Sequence, residues 1–142
     1  MWPDHLCLHS AIESGDYTSV GLLLAQGASV HTIDAQGRRP LHIAAEKGAT
    51  AMVRILIQSG ALLDVKDDRG WTPLHSVCRS RDLMTLDVLM EYAPDPSIRD
   101  TEGRTPEQLA RALGHHSFAD ALHRSVEQRR TSPLMIPRSP SR

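Results

Sequence analysis

Apolar residues come in short runs at a constant interval along the chain. Leu22-Leu23-Leu24, Ile55-Leu56-Ile57 and Val88-Leu89-Met90 lie 33 positions apart. Polar punctuation keeps the same interval. Asp34, Asp67 and Asp100 are spaced by 33, as are Gly37, Gly70 and Gly103, Pro40, Pro73 and Pro106, and His9, His42 and His75. The slide that aligns them also lays Leu8-His9-Ser10-Ala11 over Leu41-His42-Ile43-Ala44 and Leu74-His75-Ser76-Val77. So many residue classes in one register make a tandem repeat.

Each repeat reads as two helices and a polar loop. Thr72-Pro73 and Thr105-Pro106 open helices, because the threonine hydroxyl accepts a first-turn amide and a proline at the next position forfeits no helix bond. The pattern predicts helices over Pro40–Lys47 and Pro73–Ser80, with Ala44 and Ala45 small enough for close approach. Gly48 ends the first of these in a left-handed conformation. A second helix, near Thr50–Ser59, carries Val53, Leu56 and Ile57 on one face and closes at Gly60. Residues 61–70 are polar and rich in turn formers. A helix pair of this size cannot bury its apolar face alone, so each unit must stack on its neighbours.

Gly70-Trp71-Thr72-Pro73-Leu74-His75 and Pro40-Leu41-His42-Ile43-Ala44-Ala45-Glu46-Lys47-Gly48 resemble the ankyrin-repeat family, as does the 33-residue period itself. The likeness covers about residues 4–126. It implies an all-α fold, a curved solenoid of stacked helix-turn-helix units with hairpin loops along one edge. Four units are expected, at about 1–33, 34–66, 67–99 and 100–126, with a disordered basic Pro/Ser/Arg tail at 127–142.

Departures from the pattern carry physical consequences. Leu6-Cys7 replaces the Thr-Pro pair in the first unit and Glu107-Gln108 replaces Leu-His in the last, as befits units with a neighbour on one side only. Arg39 stands where threonine would cap a helix, a loss of about 1 kcal/mol. Arg81 occupies the place of Gly48 and Ala93 that of Gly60, each costing about 1 kcal/mol if the backbone stays left-handed. Pro94-Asp95-Pro96 falls where the second unit has Ala61-Leu62-Leu63, so the junction of units three and four is expected to be the softest.

Composition narrows the function. Aromatic residues are only 4 % of the chain, so the core is aliphatic and suits packed helices. Two cysteines without CxxC spacing, Cys7 and Cys78, read as reduced thiols, and Cys78 falls on a packed helix face. The start has no basic stretch followed by an apolar run, and no apolar segment is long enough to cross a bilayer. A cytoplasmic or nuclear protein is expected. Residues 1–127 hold 12 Lys+Arg against 17 Asp+Glu, which argues against a grip on nucleic acid or membrane by the array. Residues 128–142 hold four arginines and no acid.

Candidate chemistry is sparse. The resemblance implies that His9, His42 and His75 hydrogen-bond backbone between units. His116 and His123 are two helical turns apart, a poor spacing for a helix-borne metal site, and His115 follows Gly114 where a second helix opens. No GxSxG, Walker loop, dinucleotide fingerprint or HExxH is present. The chain is therefore not read as an enzyme, and no cofactor, metal or small-molecule substrate is expected.

What remains is recognition of another protein by a monomer, as the resemblance implies, through hairpin tips and the exposed side of the first helices. Mapped onto this chain, that face comprises Gln36, Arg38, Glu46, Lys47, Lys66, Asp68, Arg69, Trp71, Arg79, Arg99 and Arg104. Trp71 has two readings, a recognition anchor flanked by arginines or a ring that covers hairpin backbone. The strip leans basic, so a partner with acidic surface is expected. A scaffold or adaptor is the first reading; an inhibitor of a kinase or transcription factor, or a fragment of a larger ankyrin protein, is the second. In the tail, Arg129-Arg130-Thr131-Ser132, Ser132-Pro133 and Ser139-Pro140 resemble kinase sites at Ser132 and Ser139.

Overall fold

The computed structural model describes residues 8–92 and 94–131, with side chains to residue 128. Cys7, Ala93 and the tail positions Ser132 and Ser139 lie outside the described residues. Eight helices follow in chain order: α1 Leu8–Ser14, α2 Tyr17–Ala25, α3 Pro40–Lys47, α4 Thr50–Gln58, α5 Pro73–Ser80, α6 Leu83–Glu91, α7 Pro106–Ala112 and α8 His116–Thr131. There is no strand among the described residues.

The helices form two rows. The odd-numbered helices stack in one row, each on the next, and the even-numbered helices stack behind them. The seam between α3 and α5 is the most extensive. Its alanines explain that closeness: Ala44 and Ala45 are fully buried, beside Leu41, Leu74 and Val77. In the second row Met52, Val53 and Leu56 of α4 are buried, with Leu86 and Leu89 of α6.

Helix ends follow local chemistry. Thr72 and Thr105 cap α5 and α7 by accepting from the amides of His75 and Gln108. Arg39 makes no side-chain cap on α3. Asp16 and Asp82 cap α2 and α6, two caps the repeat pattern did not single out. Gly48 ends α3 at φ 69°, and Arg81 ends α5 in the same left-handed region at φ 56°. Arg81 is the one non-glycine residue with positive φ among the described residues. α8 runs to Thr131, past the boundary expected at residue 126. Glutamine and arginine favour helix, and nothing breaks the pattern before Pro133.

Candidate functional site

Three hairpins, at residues 34–38, 67–71 and 100–104, repeat one construction. In each, an aspartate Oδ1 accepts two backbone amides. Asp34 takes those of Gln36 and Arg38, both at 2.9 Å; Asp67 takes those of Arg69 at 2.9 Å and Trp71 at 3.0 Å. Asp100 takes those of Glu102 and Arg104, both at 2.9 Å. Burial pulls the Asp34 and Asp100 carboxyls upward, but the amide bonds outweigh it and hold both below the usual carboxylate value. Adjacent hairpins are tied by backbone bonds, from the Asp68 amide to the Gln36 carbonyl at 3.1 Å and from Thr101 to Arg69 at 3.0 Å.

The repeated histidines join each helix to the following hairpin. His9 Nε2 meets the Arg38 carbonyl at 3.0 Å, His42 Nε2 the Trp71 carbonyl at 2.7 Å, and His75 Nε2 the Arg104 carbonyl at 2.9 Å. Nδ1 of His42 and His75 accepts the amides of Arg39 and Thr72, which leaves the proton on Nε2 to be donated. Burial pushes the pKa of both rings below the ordinary histidine value. These histidines are inter-unit ties. His115 reaches back to the Cys78 carbonyl at 2.9 Å, and His123 lies 3.1 Å from Glu107. Cys78 itself is fully buried, and its burial pushes the thiol up to about 12, so this thiol stays protonated at neutral pH.

Along the hairpins and the first helices, alternating charges form a ladder. Arg38 pairs with Glu13 at 3.5 Å, Asp34 at 2.9 Å and Glu46 at 3.3 Å. Arg69 pairs with Glu46 at 2.6 Å and Asp67 at 2.7 Å. Burial opposes the charge on Arg69, yet its bonds to Asp67 and Glu46 raise its pKa above the ordinary value. Exposed pairs taken singly contribute little, but a shared network with fixed geometry holds its side chains in place. Arg104 continues the strip with Asp100 at 3.4 Å and Glu102 at 3.3 Å.

The expected face therefore divides in two. Arg38, Glu46, Arg69 and Arg104 are half-buried members of these networks. Gln36, Lys47, Lys66, Asp68, Arg79 and Arg99 are exposed, with Arg99 donating to the Gly103 carbonyl at 2.7 Å. Trp71 departs from the expectation that it stands on the open face, for only 6 % of it is exposed. The Arg69 guanidinium lies 3.7 Å from the centre of its ring and covers it. Glu13 was missed by the mapping, although the 33-residue slide that aligns it with Glu46 could have found it.

The family model for ankyrin repeats matches residues 8–100 in three copies. The fourth helix pair, α7 and α8, lies beyond the matched span. No curated protein matches the chain.

Proposed function

The chain belongs to the ankyrin-repeat family, and we propose that it works as a scaffold or adaptor, binding a partner protein through its hairpin tips and inner helix face. Members of this family are generally protein-interaction modules. One observation carries the reading for this chain: three hairpins with the same Asp-clamped turn, bonded to one another, present exposed polar residues in a fixed row. Side chains already held in place lose less freedom on binding, which favours recognition. Gln36, Lys47, Lys66 and Asp68 are the exposed members best placed to touch a partner. The buried thiol and the backbone-bonded histidines support a role without chemistry of its own. No helix among the described residues is long and apolar enough to cross a membrane.

Affinity capture with the intact chain and a variant carrying Lys47→Glu and Lys66→Glu tests the reading. The double variant should lose the captured protein, while Arg124→Glu, an exposed change on α8, should keep it. Identical capture by all three chains would remove the inner face from consideration.

A further inference from the structure

The charge ladder reverses sign at one rung. Sliding the chain by 33 places Glu13 and Glu46 over Arg79. Both glutamates are gripped by hairpin arginines, Glu13 by Arg38 and Glu46 by Arg38 and Arg69. At the rung of Arg79 the matching hairpin positions hold Trp71 and Glu102. Glu102 is already engaged by Arg104 at 3.3 Å. Arg79 is exposed and has no ion pair among the described residues. Its guanidinium lies 6.0 Å from the centre of the Trp71 ring, the same ring that Arg69 covers at 3.7 Å. The charge of Arg69 is matched by Asp67 and Glu46; that of Arg79 is matched by no carboxylate among the described residues.

We infer that the bound partner completes this rung with an acidic side chain, its carboxylate seated on the Arg79 guanidinium beside the Arg69–Trp71 stack. The inference rests on the reading of the inner face as the binding face and adds the chemistry of what binds there. Arg is suited to the task because its planar fork presents two parallel donors to a carboxylate. Its place in the last turn of α5 also sets a cation against the carbonyl end of the helix, a favourable position for positive charge. Acid outnumbers base across residues 1–127, so the array as a whole repels a polyanion such as nucleic acid. A lone carboxylate on a folded or extended protein segment meets Arg79 without that penalty.

Tryptophan emission reads the site directly. The chain has two tryptophans, so Trp2→Phe leaves Trp71 as the sole reporter, 6.0 Å from Arg79. This chain is titrated with a peptide of alternating glutamate and glycine, with its glutamine counterpart, and with a single-stranded oligothymidine. The glutamate peptide should change Trp71 emission with an affinity that falls as salt rises. Arg79→Glu should weaken it by roughly tenfold and Arg79→Gln by less, while Arg124→Glu leaves it unchanged. Thermal melts confirm that the exposed substitutions leave the fold intact. Equal binding of the glutamine peptide, an unshifted curve for Arg79→Glu, or tighter binding of the oligothymidine would overturn the assignment. If Arg79→Glu titrates normally while the Lys47 and Lys66 changes still abolish capture, the binding face stands and the acidic rung falls.

Discussion

Nε2 of His42 donates to the Trp71 carbonyl at 2.7 Å and so ties the helix of one unit to the hairpin of the next across 29 residues of sequence. His75 makes the same bond to Arg104 at the same separation. Each tie requires a neutral ring, because Nδ1 must accept a backbone amide while Nε2 donates.

Acid should therefore loosen the array before its carboxylates titrate. Burial places the His42 and His75 pKa values below 6.5 in the folded chain, while the unfolded chain titrates near 6.5. Between those values the unfolded state binds protons that the folded state refuses. The contribution is then complete above 6.5 and is lost as pH falls, at a limiting slope of about 1.4 kcal/mol per pH unit for each ring. Asp34 and Asp100, held below 3.8, add their own losses only at lower pH. Urea midpoints at pH 7.5 and 5.5 check this. Gln108 already shows that glutamine preserves the cap bond, taking the Thr105 amide at 3.0 Å. His42→Gln with His75→Gln should flatten the pH slope; an undiminished slope would assign it to other groups.

Gly70 and Gly103 occupy the same turn position but not the same surroundings. Both have positive φ, at 75° and 79°. A Cβ on Gly70 would lie 2.7 Å from the Thr101 amide nitrogen and 3.0 Å from Asp100 backbone, whereas one on Gly103 meets nothing within 4 Å. Gly103→Ala should lose about 1 kcal/mol from backbone strain. Gly70→Ala should lose about 3 kcal/mol, because the next hairpin must move as well. Denaturant titration distinguishes them, and equal losses would mean that the hairpin contact yields freely.

Arg81 tests the same backbone rule in reverse. At φ 56° it pays for a conformation that Gly48 adopts freely at 69°. Arg81→Gly should stabilise the chain by about 1 kcal/mol, a rise of about 3 to 5 °C in Tm. A lower Tm would show that the arginine side chain contributes more than the strain removes.

Ser76 tests the seam between units. It is fully buried, and its Oγ has no hydrogen-bond partner among the described residues. The repeat register matches it to Ile43 and Leu109, both apolar and buried. Ser76→Ala removes an unpaired hydroxyl and should raise stability by about 1 kcal/mol, measured by chemical denaturation. A loss of stability would point to a partner for the hydroxyl.

Much of this was legible because it repeats. The period predicts α3 and α5 to the residue, since proline opens both and Gly48, which closes α3, sets by register where α5 ends at Arg81, and the family likeness names the histidine ties. Arg81 could be flagged because its register partner is a glycine. The sign change from Glu46 to Arg79 was equally readable by offset, but its meaning depends on which hairpin side chains reach it. Trp71 was hard to place because its position falls between Arg38 and Arg104 in the register and both remain partly open. Arg69, two residues earlier, folds across one face of the ring, and no periodicity encodes that rotamer.

Trp71 is accordingly expected to act through stability. With 6 % exposure and an arginine stacked on the ring, Trp71→Ala opens a cavity under the second hairpin and uncovers the backbone that His42 grips. The loss should be about 3 kcal/mol, and Trp71→Phe, which keeps a ring for Arg69, should lose less. The hairpin also positions Arg69 against Glu46, so Trp71→Ala should weaken partner capture together with the fold, in proportion to the fraction unfolded. Thermal melting paired with capture at a temperature where both chains are folded separates the effects. Lost capture at an unchanged Tm would return Trp71 to the recognition face, and Arg79 would then share its rung with an indole that the partner touches.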